Sequence, residues 1–144
     1  TQDSISYWDD FSKQKIVWGE ISDRTKFSID INGDYLTEAT TFLMTGNNLI
    51  YLLGVLNSKL SEYMFSKIGT TTGVGTIRWK KFTIEQLPVF QPTNKRLQVY
   101  EEIIFKMINV THKGNEYESL EKELNQMIYD DFNLSKEEVA IIEK

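Results

Sequence analysis

An α+β fold, with a small mostly antiparallel sheet, a packed amphipathic helix and a C-terminal antiparallel helix pair, follows from three features of the sequence. Phe27, Ile29 and Ile31 alternate with Lys26, Ser28 and Asp30, the period of two that marks a half-buried strand. Leu49, Leu52, Leu53, Leu56, Leu60, Tyr63 and Met64 recur at three and four residues, the apolar stripe of a helix. Beyond Pro92 two further stripes of this kind are separated by His112-Lys113-Gly114, and so short a connection makes the two helices antiparallel neighbours.

Taken in order, Lys15–Ile21 and Thr25–Ile31 read as strands joined by a turn at Ser22-Asp23-Arg24. Asn32-Gly33-Asp34 is a second turn, and Ala39–Met44 a third strand, giving a small antiparallel sheet or meander. Asn47 or Asn48 can cap the long helix, with Asn57, Ser58, Lys59, Ser61 and Glu62 on its wet side and Gly69 ending it in a left-handed conformation. Val74–Lys80 is expected as a strand, Phe82–Leu87 as one helical turn stopped by Pro88, and Val89–Asn94 as a connector. Leu97, Tyr100, Ile104, Met107 and Ile108 stripe the first helix of the pair; Tyr117, Leu120, Leu124, Met127 and Ile128 stripe the second, with Asn115 as its cap. Ser135 and Glu138 form a capping box for a short last helix, with Leu134 as its staple. The division expected is an α+β body at 1–92 and a helical region at 93–144.

Composition narrows the function more than it names it. The absence of cysteine removes disulfides, thiolate zinc sites and cysteine nucleophiles, and fits a cytoplasmic location. His112 is the single histidine, so no histidine metal cluster forms. No apolar run is long enough to span a bilayer, so no membrane partner is expected, and the start at Thr1 reads as a piece of a longer polypeptide. The net charge of −5 argues against nucleic acid at first sight. It is, however, segregated: residues 1–44 hold four basic and eight acidic groups, 45–98 seven and two, and 99–144 five and eleven. Screening beyond about 8 Å at physiological salt lets a basic middle act despite acidic flanks.

The loop Gly69-Thr70-Thr71-Thr72-Gly73-Val74-Gly75 lacks the Gly-Lys-Ser/Thr of a phosphate loop, and a strand rather than a helix follows it. A glycine cluster by default is a turn needing glycine dihedrals. Three threonines with Arg78, Lys80 and Lys81 go further, since hydroxyls and cations contact phosphate oxygens and arginine reads guanine in the major groove. Trp79 and Trp18 are expected in the core rather than stacked on bases, and Tyr7 and Trp8 over a sheet edge. Asp30, Asn32 and Asp34 begin like a calcium loop, but Tyr35 and Thr41 stand where that loop needs glycine and glutamate. Glu116, Glu118, Glu121 and Glu123, with Lys122, form a solvated helix face. No nucleophile and base pair can be assembled, no metal site, no nuclease carboxylate–lysine pattern and no Asn-Pro-Pro-aromatic motif of adenine methylation. The catalytic and metal sets are therefore empty, and a protein-interaction module using the acidic C-terminal helices is the alternative to DNA binding.

The run Tyr51-Leu52-Leu53-Gly54-Val55-Leu56-Asn57-Ser58-Lys59-Leu60, the glycine loop with Ile77-Arg78-Trp79, and Ile84-Glu85-Gln86-Leu87-Pro88-Val89 together resemble the TaqI-like C-terminal specificity domain. Ile128–Glu138 is similar to the tail of the same polypeptides, with Phe132-Asn133 where an aromatic-glycine pair often stands. The resemblance runs over about 14–142. It implies a non-catalytic target-recognition domain of a restriction-modification enzyme or adenine-N6 DNA methyltransferase. Its partners are double-stranded DNA and the methyltransferase or nuclease domains of the same polypeptide. S-adenosylmethionine and Mg belong to those other domains, which flip the target base, and this domain holds no cofactor. It further implies readers on loops at one end of the sheet, at Ser22–Lys26, Asn32–Asp34 and Thr70–Lys81. The residues expected on DNA are Arg24, Lys26, Asn32, Thr70, Thr71, Thr72, Arg78, Lys80 and Lys81.

Overall fold

The computed structural model describes residues 8–38, 40–71, 73 and 75–144. Its elements run α1 (Trp8–Phe11), β1 (Lys15–Gly19), β2 (Ile21–Ser22), β3 (Ser28–Asp30), β4 (Thr41–Met44), α2 (Leu49–Leu56), α3 (Lys59–Ile68), β5 (Thr70–Thr71), β6 (Ile77–Arg78), α4 (Lys81–Ile84), α5 (Asn94–Asn109), α6 (Asn115–Asp131) and α7 (Lys136–Ile142). The architecture is α+β as expected, but the strands form two antiparallel sheets, ordered β3-β1-β4 and β2-β6-β5.

In the first sheet β1 is central, and Thr41–Met44 pairs with it rather than with β3. The order is therefore not a meander. The chain leaves β1 at Glu20, whose amide donates to the Thr40 carbonyl, and Ile21-Ser22 then crosses to β6 in the second sheet. One expected strand thus serves two sheets. The alternation read over Thr25–Ile31 also stops early: Ile31 is exposed, while Asp30 is buried. The Asp30 carboxylate takes the buried ammonium of Lys15 and accepts from the amides of Gly33, Asp34 and Tyr35 at 2.9, 3.1 and 2.9 Å. A buried charge persists when paired and hydrogen-bonded in this way, so the calcium-like spacing is a self-capped turn.

The long helix is two helices. Asn57 and Ser58, assigned to its wet side, break it, and Ser58 and Ser61 are buried. Asn57 faces the backbone of Phe27, accepting from its amide at 3.0 Å and donating to its carbonyl at 2.9 Å, as a strand neighbour would. Ser58 caps α3 by accepting from the Ser61 amide. At the start of α2, Asn48 sits in the left-handed region without a side-chain cap bond. Gly69 is extended, not left-handed. A Cβ there would lie 2.7 Å from Cγ2 of Ile77 and 2.9 Å from Cε1 of Phe65, so close packing requires the glycine.

Helix α2 is buried nearly all round, from Leu49 to Leu56, between the first sheet and α5. The helix pair packs on it closely: a Cβ on Gly54 would stand 2.4 Å from Cδ1 of Ile104. Arg96 of α5 donates to Asp131 of α6 at 2.9 Å, and the Tyr100 hydroxyl donates to the same carboxylate. Burial and that carboxylate push the Tyr100 hydroxyl far up. The Tyr51 hydroxyl, raised by burial to about 12, donates to the carbonyl of Phe90 and ties the connector to α2. Gly114, rather than Asn115, occupies the cap of α6, whereas the Ser135/Glu138 capping box forms as read. Among the described residues no helix is long and apolar enough to cross a membrane.

Candidate nucleic-acid interface

The second sheet is small because its residues serve a loop. Thr70 and Thr71 pair with Arg78 and Ile77, closing a hairpin whose tip holds Gly73 and Gly75 at φ 84° and 82°. Those angles favour glycine strongly, which accounts for the glycine spacing. Thr72 and Val74 lie outside the described residues, as do Ala39, Tyr7 and the Trp8 side chain.

Trp79 anchors this hairpin. It is 2% exposed, its ring stacks on Phe65 at 3.8 Å, and Phe27 meets it edge-on at 5.8 Å. Its amide donates to the Glu20 carbonyl at 2.6 Å, its indole N–H to the Ser22 carbonyl at 3.3 Å, and its own carbonyl accepts from the Trp18 indole at 2.9 Å. The core reading of both tryptophans therefore holds. Because strands alternate sides, an inward Trp79 turns its neighbour Arg78 outward. Thr70, Thr71 and Lys81 are likewise exposed, and Lys80 is half-buried.

The cations differ in their partners. Arg78 reaches Glu20 at 3.3 Å with its side chain 44% exposed, Lys81 reaches Glu85 at 3.8 Å, and Lys26 pairs with Asp23 at 2.9 Å. The Lys26 ammonium holds the Asp23 carboxyl below its usual range. Exposed pairs of this kind contribute about 0–1 kcal/mol and exchange readily for another anion. Among the described residues no carboxylate is in ion-pair contact with Arg24 or Lys80.

Pairing of β2 with β6 joins the start of the Ser22–Lys26 turn to the hairpin strands that carry Thr70, Thr71 and Arg78, and Lys80 and Lys81 follow Trp79 directly in the chain. Asn32 is elsewhere. Lys15 pairs with Asp30, so the Asn32–Asp34 turn continues past the opposite end of β1 from Gly19 and β2. The three loops expected together at one end of the sheet are therefore not all there: Asn32–Asp34 lies at the other end of β1.

Two participants had no local signal in the sequence. Glu20, the partner of Arg78, lies 58 residues away. A cleft of about 590 Å³ beside the Ser22–Lys26 turn is bordered by Arg24 and Lys26 together with Lys59 and Lys113, and by Glu62 and Glu121. The segments that carry these groups are remote in sequence, and only the folded chain joins them.

No group of three or more His, Cys, Asp or Glu positioned for a metal ion occurs among the described residues. A family model described as the TaqI-like C-terminal specificity domain matches residues 1–89. The tail similarity at Ile128–Glu138 lies beyond that match. No curated protein matches the chain.

Proposed function

We propose that this chain, which belongs to the TaqI-like C-terminal specificity domain family, is the non-catalytic target-recognition domain of a restriction-modification enzyme or adenine-specific DNA methyltransferase. Its partner is double-stranded DNA, and the methyltransferase or nuclease chemistry, with S-adenosylmethionine and Mg, belongs to other domains of the same polypeptide. The observation that carries this reading is the pairing of a buried Trp79 with an exposed Arg78 on a threonine-bearing hairpin. A reader must be stiff at its root and free at its tip, because a loosely held guanidinium loses the bidentate geometry that distinguishes guanine from other bases. Stacking on Phe65 supplies the stiffness. Glu20 keeps the guanidinium at the surface until a stronger anion or base edge replaces it. Thr70, Thr71, Lys80 and Lys81 supply phosphate contacts that fix register without reading sequence.

The test is enrichment from a randomised duplex library by the chain and its Arg78→Ala variant. Arg78→Ala is expected to relax preference at one or two base positions by about 1–3 kcal/mol, and Arg78→Lys not to restore it, since an ammonium cannot form the two parallel bonds. Identical enriched sequences from all three proteins contradict the assignment.

A further inference from the structure

We infer that the cleft between the Ser22–Lys26 turn and the helix pair is a DNA backbone clamp, in which Lys113, outside the family-matched segment, grips phosphate together with Arg24 and Lys26. This rests on the DNA-recognition reading and extends it to the helical region.

Four cations converge on one concave surface from three separate segments: Arg24 and Lys26 from the turn, Lys59 from the first residue of α3, and Lys113 from the loop between α5 and α6. The last is the informative one. The C-terminal third is strongly acidic, yet its loop sets a lysine facing the basic turn. Lys113 has no carboxylate partner among the described residues; its ammonium lies 5.1 Å from the centre of the Tyr117 ring, which holds it at the cleft. Arg24 likewise has no carboxylate in ion-pair contact among the described residues. Lys26 and Lys59 hold Asp23 and Glu143 through exposed pairs, and of the two acids bordering the cleft Glu62 accepts from the Thr25 hydroxyl at 3.2 Å. The turn that borders the cleft leads out of β2, whose Ser22 pairs with Ile77 of the hairpin and accepts from the Trp79 indole N–H. A strand whose bases face Arg78 therefore has a track for its phosphates toward Lys113. The chemistry is positional: these side chains bind any sequence alike.

The measurement is the affinity of the full chain for a duplex of arbitrary sequence, by fluorescence anisotropy between about 50 and 200 mM salt. Lys113→Gln and Lys26→Gln are each expected to weaken binding several-fold and to reduce the slope of log affinity against log salt by about 0.9, one phosphate contact. Preference among sequences stays unchanged in Lys113→Gln. Lys136→Gln, at an exposed cation of α7 that does not line the cleft, reports the general field. A Lys113→Gln titration no different from that of Lys136→Gln overturns the clamp, while altered discrimination in Arg78→Ala then leaves the recognition reading standing. A wild-type chain without salt-dependent duplex binding removes both.

Discussion

Single residues decide whether this surface is presented or buried. Trp79 and Arg78 are adjacent, and with the first committed to the core the second lies at the surface, where it meets Glu20. Asp30 does comparable work at the other end of β1, where its carboxylate holds three amides and the Lys15 ammonium. The Lys15 bond, followed by the amide bonds, holds this carboxyl far below the ordinary 3.8. A group with a depressed folded pKa stabilises the fold above its unfolded value and loses that contribution as pH falls through its folded one. Asp30 therefore contributes fully at neutral pH and progressively less below about pH 4. Asp30→Asn should lower Tm at pH 7 far more than Glu20→Gln, and should flatten the decline of Tm in acid. Equal losses for the two variants, measured by thermal melts across pH, would show that the buried pair is dispensable. The Lys15–Asp30 pairing was not visible in the sequence, because Asp30 occupies the wet phase of a strand alternation.

Elements were readable where one signal dominated and misread where two competed. Helices α5, α6 and α7 have uninterrupted stripes, and the Ser135 capping box announces the last of them. The stripe from Leu49 to Met64 is equally regular, yet the chain breaks at Asn57-Ser58, since hydrogen bonds to Phe27 and a serine cap compensate for the lost helical turn. Periodicity reports which face is apolar but not whether the axis is continuous. The strands were harder, because runs of two to five residues owe their existence to partners far along the chain. Packing between α2 and α5 gives the element-scale test. Gly54→Ala is expected to cost about 1–3 kcal/mol by overpacking, as its methyl would meet Ile104 Cδ1. Ile104→Val removes that methyl, so the alanine should cost less in its background. A loss unchanged by Ile104→Val in denaturant melts would place the strain elsewhere.

At the scale of the whole molecule, charge and function separate along the chain. The basic middle third builds the hairpin, while acidic helices pack behind α2 and expose Glu116, Glu118 and Glu123 to solvent. The family's character was legible in the LLGVLNSKL and IRW blocks because these are core and anchor positions, whose chemistry is dictated by packing. The reader set was less so. Asn32 resembled its fellows in composition, yet strand register carries it to the far end, whereas Lys59 and Lys113 join the cleft from segments with no common motif. The most direct test of the central claim is to titrate the isotopically labelled chain with duplex DNA and map amide shift changes by NMR. Perturbations are expected to concentrate in the hairpin from Thr70 to Lys81 and in the Ser22–Lys26 turn, which the Trp79 indole joins at Ser22. Perturbations confined to the acidic face around Glu116 and Glu118, or none in the hairpin, would contradict it.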